Sequence, residues 1–227
     1  MTKLFLFDVE GTTTDINFVH KVLFPYSKKR MAAFVKENAL QNEVAPIISD
    51  IKKTVYEEEK RELTTLDEVC AVLDSWIKND RKHGALKALQ GFIWDKGYKS
   101  GDFKGHVYED VKPFFEKLKA KGFDIGIYSS GSVHAQKLIF GYSTAGDLTT
   151  LISYYFDTKV GAKREASSYL NILSEVKRDA SDVTFFSDIP QELAAAKVAG
   201  IHPVHLVRPG TLASDFFGIK DFSEFKI

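Results

Sequence analysis

The feature that most constrains this chain is a change of grammar partway along it. A short apolar run over residues 3–7 stops at Asp8 and Gly11 and reads as a buried strand ending in a loop. From residue 18 to about residue 98 the pattern is helical: apolar side chains recur three and four apart, as in Val69, Leu73, Trp76 and Ile77, and no β-rich run lies between turn signals. Three or four helices are expected there, and the charge run 57–62 reads as a solvated helix end or inter-helix loop. After Gly101 and Asp102, strands and helices alternate. A helix over 111–121 is stopped by Gly122, and a strand over 124–128 runs into Ser129-Ser130-Gly131-Ser132. A helix over 133–140, a strand over 153–156 and a helix over 166–176 follow. Then come a strand over 183–186 that stops at Ser187-Asp188, a helix over 191–199 and a last strand over 204–207. Such alternation requires right-handed crossovers and a parallel sheet covered on both faces. The expected architecture is an α/β, Rossmann-like three-layer core made of residues 1–14 and 106–227, with an all-helical insertion, 15–105, after the first strand.

Composition narrows the function classes. The 31 Lys and Arg balance the 31 Asp and Glu, which argues against a nucleic-acid coat, and any attraction for an anion must be built locally. The single cysteine excludes an intramolecular disulfide and a cysteine-based zinc site, as befits a reducing compartment. The apolar start is far shorter than a signal-peptide core or the about 20 residues of a membrane span. The expectation is a soluble, unsecreted monomer of the cytoplasm, with the nucleus as a second location, and no membrane or nucleic-acid partner.

In an open parallel sheet, ligands bind beyond the carboxyl ends of the strands. Four sets of residues fall there: Asp8 and Glu10 with Gly11 and Thr12 to Thr14; Ser129 and Ser130; Lys159 and Lys163; and Asp188. Each alone has a plainer explanation. Asp8 and Asp188 suit turn or cap positions, Ser132 suits a helix N-cap, and Lys163 suits a solvated loop. Taken together, acid, hydroxyl, cation and acid follow one another at successive strand ends. Converging carboxylates repel unless a cation joins them, and oxygen ligands of this kind suit Mg2+, which leaves room for a substrate phosphate. Hydroxyls and N–H groups after Ser129, at a helix start, would hold phosphate oxygens. Glu192 can be either a support for the metal site or an ordinary helix-start acid. His202 and His205, three apart on a strand, point to opposite faces. Cys70 reads as a small core residue, and the Gly161 to Lys163 stretch lacks P-loop spacing.

The stretches FLFDVEGTTT, IYSSGS, DTKVGAK and FFSD resemble the four motifs of the haloacid dehalogenase superfamily of phosphohydrolases, in their usual order. More narrowly, DVEGTTTDINFV, LFPY, LKALQGFIW, YSSGSVHAQKLIFGYSTAGDL, YFDTKVGAK and LVRPG resemble the enolase-phosphatase E1 family of methionine salvage, from about residue 4 to about residue 210. That resemblance implies a haloacid dehalogenase-type core with a helical cap closing over the site. It implies Asp8 as nucleophile, Glu10 as general acid and then base, and Ser129, Ser130 and Lys163 as ligands of substrate and phosphoryl oxygens. One Mg2+ per subunit would be held by Asp8, the backbone oxygen of Glu10, and Asp188. Gly11 would let the chain turn and the threonines would brace it. Glu10 stands where the wider superfamily commonly has Asp, which moves the acid outward by about 1.5 Å; E1 enzymes share that Glu. The implied substrate is 2,3-diketo-5-methylthiopentyl-1-phosphate, enolised and dephosphorylated to an acireductone. Phe18, Leu23, Phe24, Phe92 and Trp94 are candidates for contact with its methylthio chain, and equally for core packing. The alternative is a Mg2+-dependent phosphatase of the same fold acting on another small phosphate ester.

Overall fold

The computed structural model of the chain describes residues 2–211 and 213–227. Its strands are β1 Leu4–Phe7, β2 Asp124–Tyr128, β3 Tyr154–Phe156, β4 Val183–Ser187, β5 His202–Leu206 and β6 Gly218–Ile219. They form one sheet in the order β3-β2-β1-β4-β5-β6, parallel at every pairing. β6 is absent from the sequence expectation. It is two residues long and pairs with His205 and Leu206, too short to show any periodicity of its own. The helices, in chain order, are α1 Ile16–Phe18, α2 Phe24–Asn38, α3 Ala45–Glu59, α4 Leu66–Lys78, α5 Gly84–Ser100, α6 Val111–Ala120, α7 Val133–Gly141, α8 Ala166–Val176 and α9 Pro190–Val198.

The chain divides into two compact units, one running to Phe18 and resuming at Lys104, the other Val19–Phe103. In the second unit the three- and four-residue spacing becomes a helical core in which Val35, Ile51, Val55, Val69, Leu73 and Leu89 are all but fully buried. Thr65 caps α4 by accepting from the Glu68 N–H, and Glu68 accepts in return from the Thr65 N–H, a reciprocal arrangement that satisfies two orphan donors. Hydrogen bonds from the N–H groups and hydroxyls of Thr65 and Thr64 hold the Glu68 carboxyl down at about 2. Cys70 is half-buried and packs against that core, its Sγ 3.8 Å from the Ala32 carbonyl. Leu23 and Trp94 are buried, with the Trp94 indole donating to the Leu23 carbonyl at 2.8 Å; Phe24 and Phe92 are half-buried. Among the described residues no helix is long and apolar enough to cross a membrane.

In the first unit, all of β1 is buried because both faces of the sheet are covered, so its run carries no polar alternation. Leu4 and Leu6 join Tyr128, Tyr169, Phe185 and Leu193 on one face. Phe5 and Phe7 face an aromatic layer on the other, where Phe7 stacks on Phe186 at 4.8 Å and Phe114 on Phe222 at 4.9 Å. Such ring pairs add about 0.5–1.5 kcal/mol each beyond the area they bury, so the aromatic weight of the chain secures the middle of the sheet.

Candidate active site

β1 lies between β2 and β4, with Phe7 opposite both Ile127 and Phe186. The next residue, Asp8, therefore leaves the sheet beside the ends of its two neighbours, its N–H still donating to the Phe186 carbonyl at 2.9 Å. The residue is 2% exposed, and its Oδ1 accepts from the Val9 N–H at 2.7 Å and from the Lys163 ammonium. Lys163 reaches Asp8 from the loop after β3, which is pinned from outside. Tyr128 Oη donates to the Gly161 carbonyl, Ser168 Oγ to the Ala162 carbonyl and Tyr169 Oη to the Lys163 carbonyl. The ammonium also lies 2.7 Å from Glu192 Oε2 on the first turn of α9, and Ser187 Oγ donates to that same oxygen at 3.0 Å. Glu192 is thus a buried partner of Lys163, not an exposed helix-start acid.

Two carboxyls share one ammonium here, in surroundings that penalise charge. Burial drags the lysine down, but the charges of Asp8 and Glu192 and their hydrogen bonds outweigh it, and Lys163 is held as an ammonium above its ordinary range. Asp8 goes the other way from an ordinary paired carboxylate. Burial raises it well above 3.8 against the pull of Lys163, with the negative charges of Glu192 and Glu10 adding to the rise. Burial and the neighbouring acids thus favour the protonated form of Asp8, and one more cation beside it would oppose that shift.

Asp188, directly after β4, is half-buried and pushed up to about 6, chiefly by burial. A carboxyl raised on folding contributes stability that is complete below its unfolded value of 3.8 and is lost as pH rises through about 6. Unfolded by urea in chelator, the wild type is expected to lose about 1–2 kcal/mol relative to Asp188→Asn across that interval, after allowance for partial exposure. Parallel stability curves for the two proteins would show that Asp188 keeps an ordinary carboxyl.

The Glu10 side chain accepts from Ser129 Oγ, at 3.1 Å to Oε2. Ser129, buried directly after β2, in turn accepts from the Gly131 N–H at 2.9 Å. Ser130 is exposed. At the start of α7 two N–H groups are engaged within the chain. The Val133 N–H donates to Asp157 Oδ2 at 3.3 Å and the Ala135 N–H to the Ser132 hydroxyl at 3.2 Å, so the chain itself satisfies those donors. His134, beside them, is exposed. Asp8, Glu10, Ser129, Lys163 and Asp188 all lie in the unit that contains the sheet.

Gly11 has φ +81, and a Cβ on it would stand 2.2 Å from Asp188 Oδ2, so the carboxylate sits in a cradle that any side chain would fill. Thr12, Thr13 and Thr14 are fully buried. Thr13 Oγ1 donates to the Asp8 carbonyl and Thr14 Oγ1 to the His106 carbonyl. The Thr12 hydroxyl accepts from the Asp188 N–H at 3.0 Å. His205 and Arg208 escape sequence reasoning. His205, fully buried on β5, lies within hydrogen-bonding distance of the Asp188 carbonyl and of Ser214 Oγ. Arg208 donates to the Thr12 carbonyl. The opposite orientation of the two histidines was legible, since His202 is exposed; their partners were not.

Among the described residues no three His, Cys, Asp or Glu side chains are grouped so as to hold a metal by themselves. The donor set nevertheless fits Mg2+. It offers two carboxylates raised by burial, Asp8 and Asp188, a surplus of acids over the single ammonium, and a cradle at Gly11 that leaves an oxygen of Asp188 room. Mg2+ is bound through one or two carboxylates, with water and substrate oxygens completing its shell.

Known proteins share this arrangement of strands and loops. The model of the haloacid dehalogenase-like hydrolase family matches residues 2–200. Enolase-phosphatase E1 of Marinobacter nauticus is 45% identical over 225 residues, 99% of this chain and 96% of that protein. The Citrobacter koseri enzyme of the same name is 49% identical over 208 residues, 92% of this chain and 89% of its own. The crystal structure of the UTR4 protein from Saccharomyces cerevisiae superposes with a TM-score of 0.84 at 34% identity, covering 99% of this chain and 100% of that one. A parallel sheet with β1 at its middle, an acid at the end of that strand, and likeness over nearly the whole length lead to one assignment: the chain belongs to the enolase-phosphatase E1 family of haloacid dehalogenase-like hydrolases.

Proposed function

We propose that this enzyme enolises 2,3-diketo-5-methylthiopentyl-1-phosphate and then removes its phosphate, yielding the acireductone 1,2-dihydroxy-3-keto-5-methylthiopentene for methionine salvage. The observation that carries the catalytic part is the buried Asp8 carboxyl held by the Lys163 ammonium at the centre of the sheet, with Glu10 hydrogen-bonded to Ser129 two residues on. Asp8 attacks phosphorus, forming an aspartyl phosphate as the ester oxygen leaves, and Glu10 gives that oxygen its proton. The Glu10 carboxylate then takes a proton from water, whose oxygen attacks phosphorus and breaks the bond to Asp8. Splitting the hydrolysis in this way replaces one hard displacement by two easier ones. Lys163 offsets charge on Asp8 and on the transferring group, and Ser129 and Ser130 orient phosphoryl and substrate oxygens.

Hydrolases of this family are generally Mg2+-dependent. The residues that would hold the ion are the carboxylates of Asp8 and Asp188 and the backbone oxygen of Glu10. Mg2+, when bound, supplies positive charge to the phosphoryl group and Lewis-acid stabilisation to the diketone oxygens.

Purified protein given the diketone phosphate with Mg2+ is expected to release phosphate and to develop acireductone absorbance together. Both signals should vanish in chelator and return on adding Mg2+. Phosphate release from unrelated sugar phosphates at comparable efficiency, with none from the diketone, would refute the substrate; full activity in chelator would refute the metal.

A further inference from the structure

Arg208 follows β5 and is 6% exposed. Its guanidinium is used on every edge. Nη2 and Nε donate to the Thr12 carbonyl at 3.0 and 3.2 Å, Nη1 donates to the Lys220 carbonyl at 3.4 Å, and Nη2 also stands 2.9 Å from Asp110 Oδ2. The flat group lies 4.1 Å above the Tyr108 ring and 5.2 Å from Phe222. A cation buried with one acid is weak grounds for stability, because its desolvation offsets the attraction. What the geometry does achieve is the fixing of one carbonyl from two directions. Thr12, held there from behind, turns its hydroxyl the other way, where it accepts from the Asp188 N–H at 3.0 Å and lies 3.4 Å from Asp188 Oδ1. A line of contacts therefore runs from Arg208 through Thr12 to the carboxylate seated on Gly11.

We infer that Arg208 is a positioning residue for the divalent cation. By clamping the Thr12 carbonyl it sets the Thr12 hydroxyl, and through that hydroxyl the orientation of the Asp188 carboxylate. The inference rests on the reading of Asp188 as a metal ligand. Lysine would not substitute for the arginine, since an ammonium cannot span the carbonyl, the acid and the two rings in one plane.

The test is Mn2+ binding, titrated by electron paramagnetic resonance on the purified chain without substrate, with Mn2+ probing the same oxygen ligands. Arg208→Lys and Thr12→Val are each expected to weaken Mn2+ by about tenfold, the lower end of what is lost when a group supporting a ligand is removed. Thr12→Ser, which keeps the hydroxyl, should bind as the wild type does. The double variant Arg208→Lys/Thr12→Val should bind no more weakly than Thr12→Val alone, because both changes cut one line. At saturating Mg2+ the substrate KM of Arg208→Lys should stay within about twofold of wild type. Mn2+ affinity unchanged in Arg208→Lys alongside a lowered Tm would overturn the proposal and leave Arg208 a fold-supporting residue; so would effects that multiply in the double variant. If Arg208→Lys is recovered unfolded, Thr12→Val decides, and wild-type Mn2+ binding in that protein overturns the proposal. Asp188→Asn separates the two levels: retained Mn2+ affinity there removes the reading of Asp188 itself, whereas lost affinity with an unaffected Arg208→Lys removes only the role of Arg208.

Discussion

Asp8→Asn is expected to fold as the wild type does and to lose turnover by roughly 10⁴- to 10⁶-fold, the scale seen when a covalent nucleophile is deleted. The fold should survive because the amide oxygen can still accept from the Val9 N–H and from Lys163, and Glu192 still faces the ammonium. The chemistry should not survive, because an amide oxygen carries no charge with which to attack phosphorus. Circular dichroism and urea unfolding check the first half, and initial rates of phosphate release check the second. Activity within about a hundredfold of wild type would be too high for a protein that has lost its nucleophile, and would return Asp8 to the role of metal ligand alone.

The second large effect belongs to Lys163→Met, which should damage both catalysis and stability. Removing one member of a buried ion pair costs about 3–5 kcal/mol because the partners stay behind uncompensated. Here two partners stay, Asp8 and Glu192. Asp8, already raised by burial, loses the cation that opposes the rise, so the variant's deficit should be small in acid and should widen as pH rises towards neutrality. That is the direction required for a carboxyl raised further in the folded state. Turnover should drop about 10³-fold through the loss of charge beside the transferring phosphoryl group. Adding Glu192→Gln removes one of the stranded acids and should restore part of the stability but none of the turnover. Urea midpoints across pH, set beside kcat, separate the two effects. A variant with near wild-type kcat would take Lys163 out of the chemistry.

The sequence made the architecture legible because the switch from helical to alternating periodicity survives in the core elements other than β6, and the residue after each strand must face the sheet's carboxyl edge. Asp8, Ser129 and Asp188 could be placed for that reason, and so could the opposite orientation of His202 and His205. What stayed hidden were partnerships between distant residues. Glu192 opens a helix, where an acid is at home with the dipole, and nothing local says that a lysine from the loop after β3 is buried against it. Asp157 likewise meets the α7 N-terminus only because β2 and β3 are neighbours. Arg208 sits in a polar stretch after β5, and no periodicity marks an arginine that turns inward. The boundaries of regular elements follow local rules, whereas the charge pairings at the site depend on which strands lie side by side.

The place of β1 in the sheet also bears on how the enzyme can fail. Its backbone is paired on both sides and its side chains are buried on both faces, so its amides belong to the part of the molecule that opens to solvent exchange only with global unfolding. Asp8, the proposed nucleophile, hangs from the end of that strand. Fraying of the short outer strand β6 can therefore proceed while Asp8, Lys163 and Glu192 keep their seats, whereas opening of β3 would loosen the loop that carries Lys163, so under heat or urea the ammonium is released before the strand that bears Asp8 opens.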